Sequence, residues 1–115
     1  MKALISIFCL ALCLSSCVIR SNVGVPARQE FVLGDNGHGA FKVEAKNTGD
    51  VPVEVSERYR NGSSSEGQVL QPGEEAILRF AANSAAILRN DNDQDALVKV
   101  KITGDTGLNM GYEDR

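Results

Sequence analysis

The stretch "GEEAILRFAANSAAILRN", residues 73–90, decides the fold class because it reads two ways. Its five alanines, with Glu, Leu and Arg, favour a helix, since these side chains lose little freedom there. Ile77, Phe80, Ala81 and Leu88 would share one face of that helix. With a period of two, Ala76, Leu78, Phe80 and Ala82 instead form one face of a strand. Asn83-Ser84 then make a turn and "AAILRN" opens a second strand. The stretch follows "LQPG", a Pro-Gly turn signal like those that punctuate the rest of the chain, and this favours the two-strand reading.

The neighbouring segments keep the period of two. In "AFKVEAKN", Phe41, Val43 and Ala45 alternate with Lys42, Glu44 and Lys46, the pattern of a half-buried strand. "NTGD" is a turn, and "VPVEVSERY" resumes with Val51, Val53 and Val55 on one face. Pro52 lacks a backbone donor and is most easily placed at a sheet edge. "ALVKVKITG" sets Ala96, Val98, Val100 and Ile102 against Lys99, Lys101 and Thr103, and "LNMGYED" offers a weaker strand through Leu108, Met110 and Tyr112. Short strands at such spacings predict an all-β, antiparallel sandwich. Its core should contain Phe41, Val43, Val53, Val55, Leu78, Phe80, Val98, Val100 and Ile102.

The chain has 115 residues, room for one domain. With 43% hydrophobic and 23% charged residues, it has a globular rather than a disordered balance. Its start differs: Lys2 precedes the uncharged apolar run "ALISIFCLALCL", and "SSC" follows. A basic start, an apolar run and small residues at the end make a secretion signal. The run is too short for a finished membrane-spanning helix, which needs about 20 residues.

"LSSC", Leu14, Ser15, Ser16 and Cys17, resembles the lipobox of bacterial lipoproteins. The resemblance implies removal of residues 1–16 and a diacylglyceryl group on the sulfur of Cys17, with a further acyl chain on its amine. Several acyl chains together hold a protein firmly in a bilayer. Residues 17–28 are then the lipidated cysteine and a tether, because "VIRSNVGVPAR" mixes Ser, Asn, Gly and Pro without a sustained period. The sandwich is expected over residues 29–115. Cys9 and Cys13 leave with the signal, so no disulfide is expected. In such lipoproteins an aspartate after the cysteine marks the inner membrane, so Val18 implies the outer membrane, facing the periplasm. A second resemblance covers residues 41–80: "KVEAKNTGDVPVEV" followed by "LQPGEEAILRF" is similar to bacterial immunoglobulin-like adhesion and scaffold modules. It implies an immunoglobulin-like sandwich.

The net charge is −3, and loss of Lys2 would make it more negative. That balance argues against nucleic acid as a partner. It argues equally against general attraction to anionic headgroups.

Candidate chemistry is sparse. His38, in "GDNGHGAF", is the one imidazole, read as a solvated loop residue because a triad would need a nucleophile and an orienting carboxylate beside it. Asp91, Asp93 and Asp95 alternate as calcium-loop ligands do, but Ala96 and Ile102 stand where that loop needs glycine and glutamate, so a polar hairpin loop is expected and no metal. Glu74 and Glu75 would point to opposite faces of a strand, which is poor geometry for paired acid-base work. Arg58, Tyr59 and Arg60 form a candidate binding rim, Tyr and Arg being favoured anchors. The expectation is a lipid-anchored envelope protein, not an enzyme and without a cofactor, that binds or assembles with a protein partner. The alternatives are an inhibitor of an envelope hydrolase such as lysozyme, acting through "RYRNGSSSEG", and a small-ligand or metal-binding lipoprotein.

Overall fold

The computed structural model describes residues 18–114. Nine strands follow one another: β1 Val18–Val25, β2 Gln29–Leu33, β3 Phe41–Asn47, β4 Val53–Arg58, β5 Gln68–Leu70, β6 Glu75–Phe80, β7 Ala85–Arg89, β8 Ala96–Gly104 and β9 Met110–Asp114. The stretch that could have been a helix is β6, a turn over residues 81–84, and β7. Asn83 adopts φ 64° in that turn, a conformation in which asparagine is favoured among non-glycine residues. "LQPGEE" turns at Gly73, whose φ of 87° suits the third position of a type II turn after Pro72, and the Glu74 amide donates to Gln71 O at 2.9 Å.

Two antiparallel sheets result, one of four strands ordered β1-β8-β3-β6 and one of five ordered β5-β4-β7-β2-β9. The pairings β1 with β8, β2 with β7, β3 with β6 and β4 with β5 are nested like one long hairpin folded over on itself. That is the double Greek key of a jelly roll. It corrects the immunoglobulin-like expectation, because an immunoglobulin sandwich groups its strands differently. The turns that suggested it, Asn47-Thr48-Gly49 and Pro72-Gly73, fix local geometry and carry no information on which distant strands pair.

The expected tether is also corrected. Residues 18–25 form a strand in register with β8 from Val18↔Thr103 to Val25↔Ala96. Val23 and Val25 are buried, at 7% and 0% exposure, and Ile19 packs against the core. Ser21 interrupts the apolar face and Gly24 the polar one, which hides the period from a sequence reading. The sandwich therefore includes residues 18–25, and the turn through Pro26 carries the chain from one sheet to the other. Pro52 precedes β4 and stays outside its ladder, so β4 sits in a sheet interior.

One hydrophobic core lies between the sheets. Phe41, Val43, Val53, Val55, Phe80, Val98, Val100 and Ile102 are all buried in it, with Phe41 and Phe80 stacked at 5.0 Å. Leu78 is only half-buried because β6 is an edge strand. At the end away from the β6–β7 turn, two fully buried asparagines replace apolar packing. Asn47 donates to Val51 O and Leu70 O, both at 2.8 Å, and accepts from Gly49 N. Asn90 donates to Val25 O at 3.0 Å and Gln94 O at 2.8 Å. Each gives a partner to carbonyls at a strand end and in the adjoining loop.

Candidate functional site

Strand direction brings four connections to one end of the sandwich: residues 34–40, 59–67, 81–84 and 105–109. His38 is the hub. Its Nε2 lies 2.8 Å from Gly34 O and 2.7 Å from Ser84 O, and its Nδ1 lies 2.6 Å from Gly39 O. The ring also meets Phe41 edge-on at 5.2 Å. The His38 amide donates to Asn83 Oδ1 while the Asn83 amide donates back to His38 O, both at 3.0 Å. His38 is thus a half-buried clamp on three main-chain carbonyls, not the solvated loop residue expected. Gly34 takes φ 93° here, and a Cβ on it would come within 3.0 Å of the imidazole.

The acids of this end hold backbone as well. Asp105 accepts from Gly39 N at 2.6 Å and Gly107 N at 2.9 Å. These two amides, with help from the nearby His38, hold its carboxyl below the ordinary aspartate range against the opposing effect of desolvation. Glu57 accepts from Ser84 Oγ at 2.6 Å and Ala81 N at 2.9 Å. The Ser84 hydroxyl points to Glu57, and His38 meets only the Ser84 carbonyl, so no serine–histidine pair is formed.

A cleft of about 240 Å³ opens beside this cluster, with Asp35, Asn36, Arg58, Tyr59, Arg60 and Asn83 among its lining. The three residues of the expected rim do reach it, but they play different parts. Arg58 lies across the outer face of the five-stranded sheet. Its Nη2 is 3.2 Å from Glu30 Oε1 on β2 and its Nη1 is 3.1 Å from Glu113 Oε2 on β9. Burial works against its charged form, but the hydrogen bond and charge of Glu113, and those of Glu30, outweigh it and raise its pKa. Arg58 is a tie within the sheet. Tyr59 is 40% exposed, and the charge of Glu57 raises its pKa, with desolvation and a hydrogen bond to Glu57 adding to the effect. Arg60 is exposed and forms no salt bridge among the described residues. Tyr59 and Arg60 are the parts of the rim presented to solvent.

The aspartate loop is engaged in closing the opposite end. Asp93 forms a 2.6 Å ion pair with Arg28, and Asp95 accepts from Ala27 N at 3.0 Å. Among the described residues no three His, Cys, Asp or Glu side chains converge as a metal site. Glu74 accepts from Gln71 N within its turn, and Glu75 is exposed on the opposite face of β6 from Phe80. Leu14, Ser15, Ser16 and Cys17 lie outside the described residues.

Glu30 was missed from the sequence. Its carboxylate is buried to 6% exposure and binds both Arg58 and Arg89, the latter at 3.3 Å. The alternation in "QEFVL" places Glu30 and Val32 on the face opposite Phe31 and Leu33, but only the cross-strand neighbours reveal that this face is covered.

No protein-family model matches the chain, and no curated protein matches it in sequence. Among solved structures, it is similar to procruciferin, an 11S globulin from Brassica napus, at 12% identity and a TM-score of 0.47, over 88% of this chain and 23% of the globulin. It is also similar to a sugar phosphate isomerase of the cupin superfamily from Silicibacter pomeroyi, at 14% identity and a TM-score of 0.46, over 88% of this chain and 58% of the isomerase.

Proposed function

We propose that the chain is a lipid-anchored protein of the bacterial cell envelope with a non-enzymatic role in binding or assembly. Held through Cys17 in the outer membrane and facing the periplasm, it keeps a protein partner near the bilayer. One observation carries the binding role: at the loop end, His38, Asp105 and Glu57 are all engaged by main-chain groups, while Tyr59 and Arg60 stay open at the rim of a cleft. The hydrogen bonds of His38, Asp105 and Glu57 fix the loop end as the surface on which the rim stands. An exposed tyrosine beside an arginine that forms no salt bridge among the described residues is suited to recognising a protein.

Crosslinking in intact cells tests this. A partner captured by the wild type, lost with Cys17→Ser and weakened by Arg60→Glu, is expected. Equal capture by Cys17→Ser would remove the anchor from the reading, and equal capture by Arg60→Glu would remove the cleft.

A second reading, inhibition of an envelope hydrolase such as lysozyme, draws on the order of the β4–β5 loop. Tyr59 N donates to Ser63 O at 2.7 Å, Asn61 Oδ1 accepts from both Ser63 N and Ser63 Oγ, and Ser65 N donates to Glu57 O. A loop preordered in this way binds with little loss of entropy. Inhibition by the wild type that survives replacement of residues 60–66 with glycine and serine would exclude that loop.

A further inference from the structure

The outer face of the four-stranded sheet carries six cations, Arg20, Lys42, Lys46, Arg79, Lys99 and Lys101, against two carboxylates, Glu44 and Glu75. Every lysine of the described residues is on this face. Lys101 pairs with Glu44 at 3.6 Å, and Lys46 stands opposite Glu75 across β3 and β6 without closing to a salt bridge; apart from Lys101, the cations of this face make no salt bridge among the described residues. The register also sets like charges directly opposite one another three times, as Arg20↔Lys101, Lys42↔Arg79 and Lys46↔Lys99. Such pairs weaken a sheet. The apolar residues Val18, Ile77 and Leu97 stand exposed among them, at 37%, 64% and 42%.

We propose that this face is a docking surface for an anionic lipid bilayer. Concentrated positive charge that the fold does not neutralise needs anions from outside. Headgroups of acidic phospholipids supply them across a whole plane, while the apolar side chains and the lysine stems can settle into the interfacial layer. The remainder of the chain holds most of the acids, so its net negative charge does not oppose the contact beyond a Debye length of about 8 Å. β1 is the edge strand of this same sheet, and Val18, next to Cys17 in sequence, pairs with Thr103 at the loop end of the sandwich, so an anchor on Cys17 would hold an edge of this face close to the bilayer. The inference rests on the envelope reading for what brings the face to a bilayer, and it deepens that reading. The cleft is lined by Arg58 and Ala85, which point outward from the five-stranded sheet, so a face-down domain turns the cleft away from the lipid.

The test is chemical footprinting of the full-length chain, purified as cells process it. It is mixed with vesicles of pure phosphatidylcholine or of equal parts phosphatidylcholine and phosphatidylglycerol, with flotation measured alongside. On the anionic vesicles, acetylation of Lys42, Lys46, Lys99 and Lys101 should slow by about tenfold or more relative to the neutral ones, given about fivefold in affinity per cation. Nitration of Tyr59, which lies at the cleft away from this face, should not change, and high salt should restore the lysine rates. Unchanged lysine rates on anionic vesicles overturn the proposal, as does shielding by soluble polyglutamate or nucleic acid without shielding by vesicles. Flotation with neutral vesicles reports the anchor separately. A chain that ignores neutral vesicles but shields its lysines on anionic ones keeps this face and loses the anchor.

Discussion

The two outer faces of the sandwich treat charge in opposite ways. On the five-stranded sheet, Glu30 binds Arg58 and Arg89, Glu54 lies 3.5 Å from Arg89, and Glu113 takes the other arm of Arg58. On the four-stranded sheet, cations face cations across the strands, and most have no partner among the described residues. The first arrangement contributes to holding the fold. The second works against it, and anionic headgroups are the counterions proposed for it. The contrast teaches that net charge is a poor guide to a small β-sandwich, because its two faces can carry separate balances.

The largest expected effect comes from breaking the alternation that separates face from core. Val100 lies between Lys99 and Lys101 on β8 but points inward and is 3% exposed. Val100→Asp buries an unpaired carboxyl and should cost about 4 kcal/mol or more, enough to abolish cooperative melting. A soluble variant with an unchanged melting curve would show that the strand faces are assigned the wrong way round.

Glu30→Ala removes the acceptor shared by two arginines. A fully buried pair broken in this way costs about 3–5 kcal/mol. Both arginines remain about one-third exposed and can recruit water, so about 2 kcal/mol is expected by urea denaturation. A change under about 0.5 kcal/mol would show that the network is surface decoration.

The smallest effect has the opposite sign. Lys99→Glu turns the like-charge pair with Lys46 into an opposite-charge one and should raise stability by about 0.5 kcal/mol. A loss of stability instead would mean that Lys99 is already satisfied within the fold, and the comparison of the two faces would fail.

The sequence by itself favoured the all-β class over a helix at residues 73–90. It determined the inward residues of β3, β4 and β8, those of β6 up to Phe80, and the turn at Pro72-Gly73, while Ala82, expected inward, lies exposed in the turn. Those features depend on side chains two or three positions apart, which chain geometry fixes locally. Leu14–Cys17 resembles a lipobox, an expectation that rests on residue chemistry and not on the fold. Tertiary structure decided the rest. The jelly-roll pairing, the conversion of residues 18–25 into an edge strand and the saturated asparagines Asn47 and Asn90 depend on partners far along the chain. So do the site residues: Tyr59 and Arg60 looked no different from Arg58 until Glu30 and Glu113 came within reach of it. His38 changed from loop residue to clamp once Gly34 and Ser84 turned their carbonyls toward it. Lys46 and Lys99 read as ordinary outward residues of two separate strands, and only the register sets them opposite one another. Alternation tells which side chains leave the core, but electrostatics acts through space, and the distances are set by the pairing of strands.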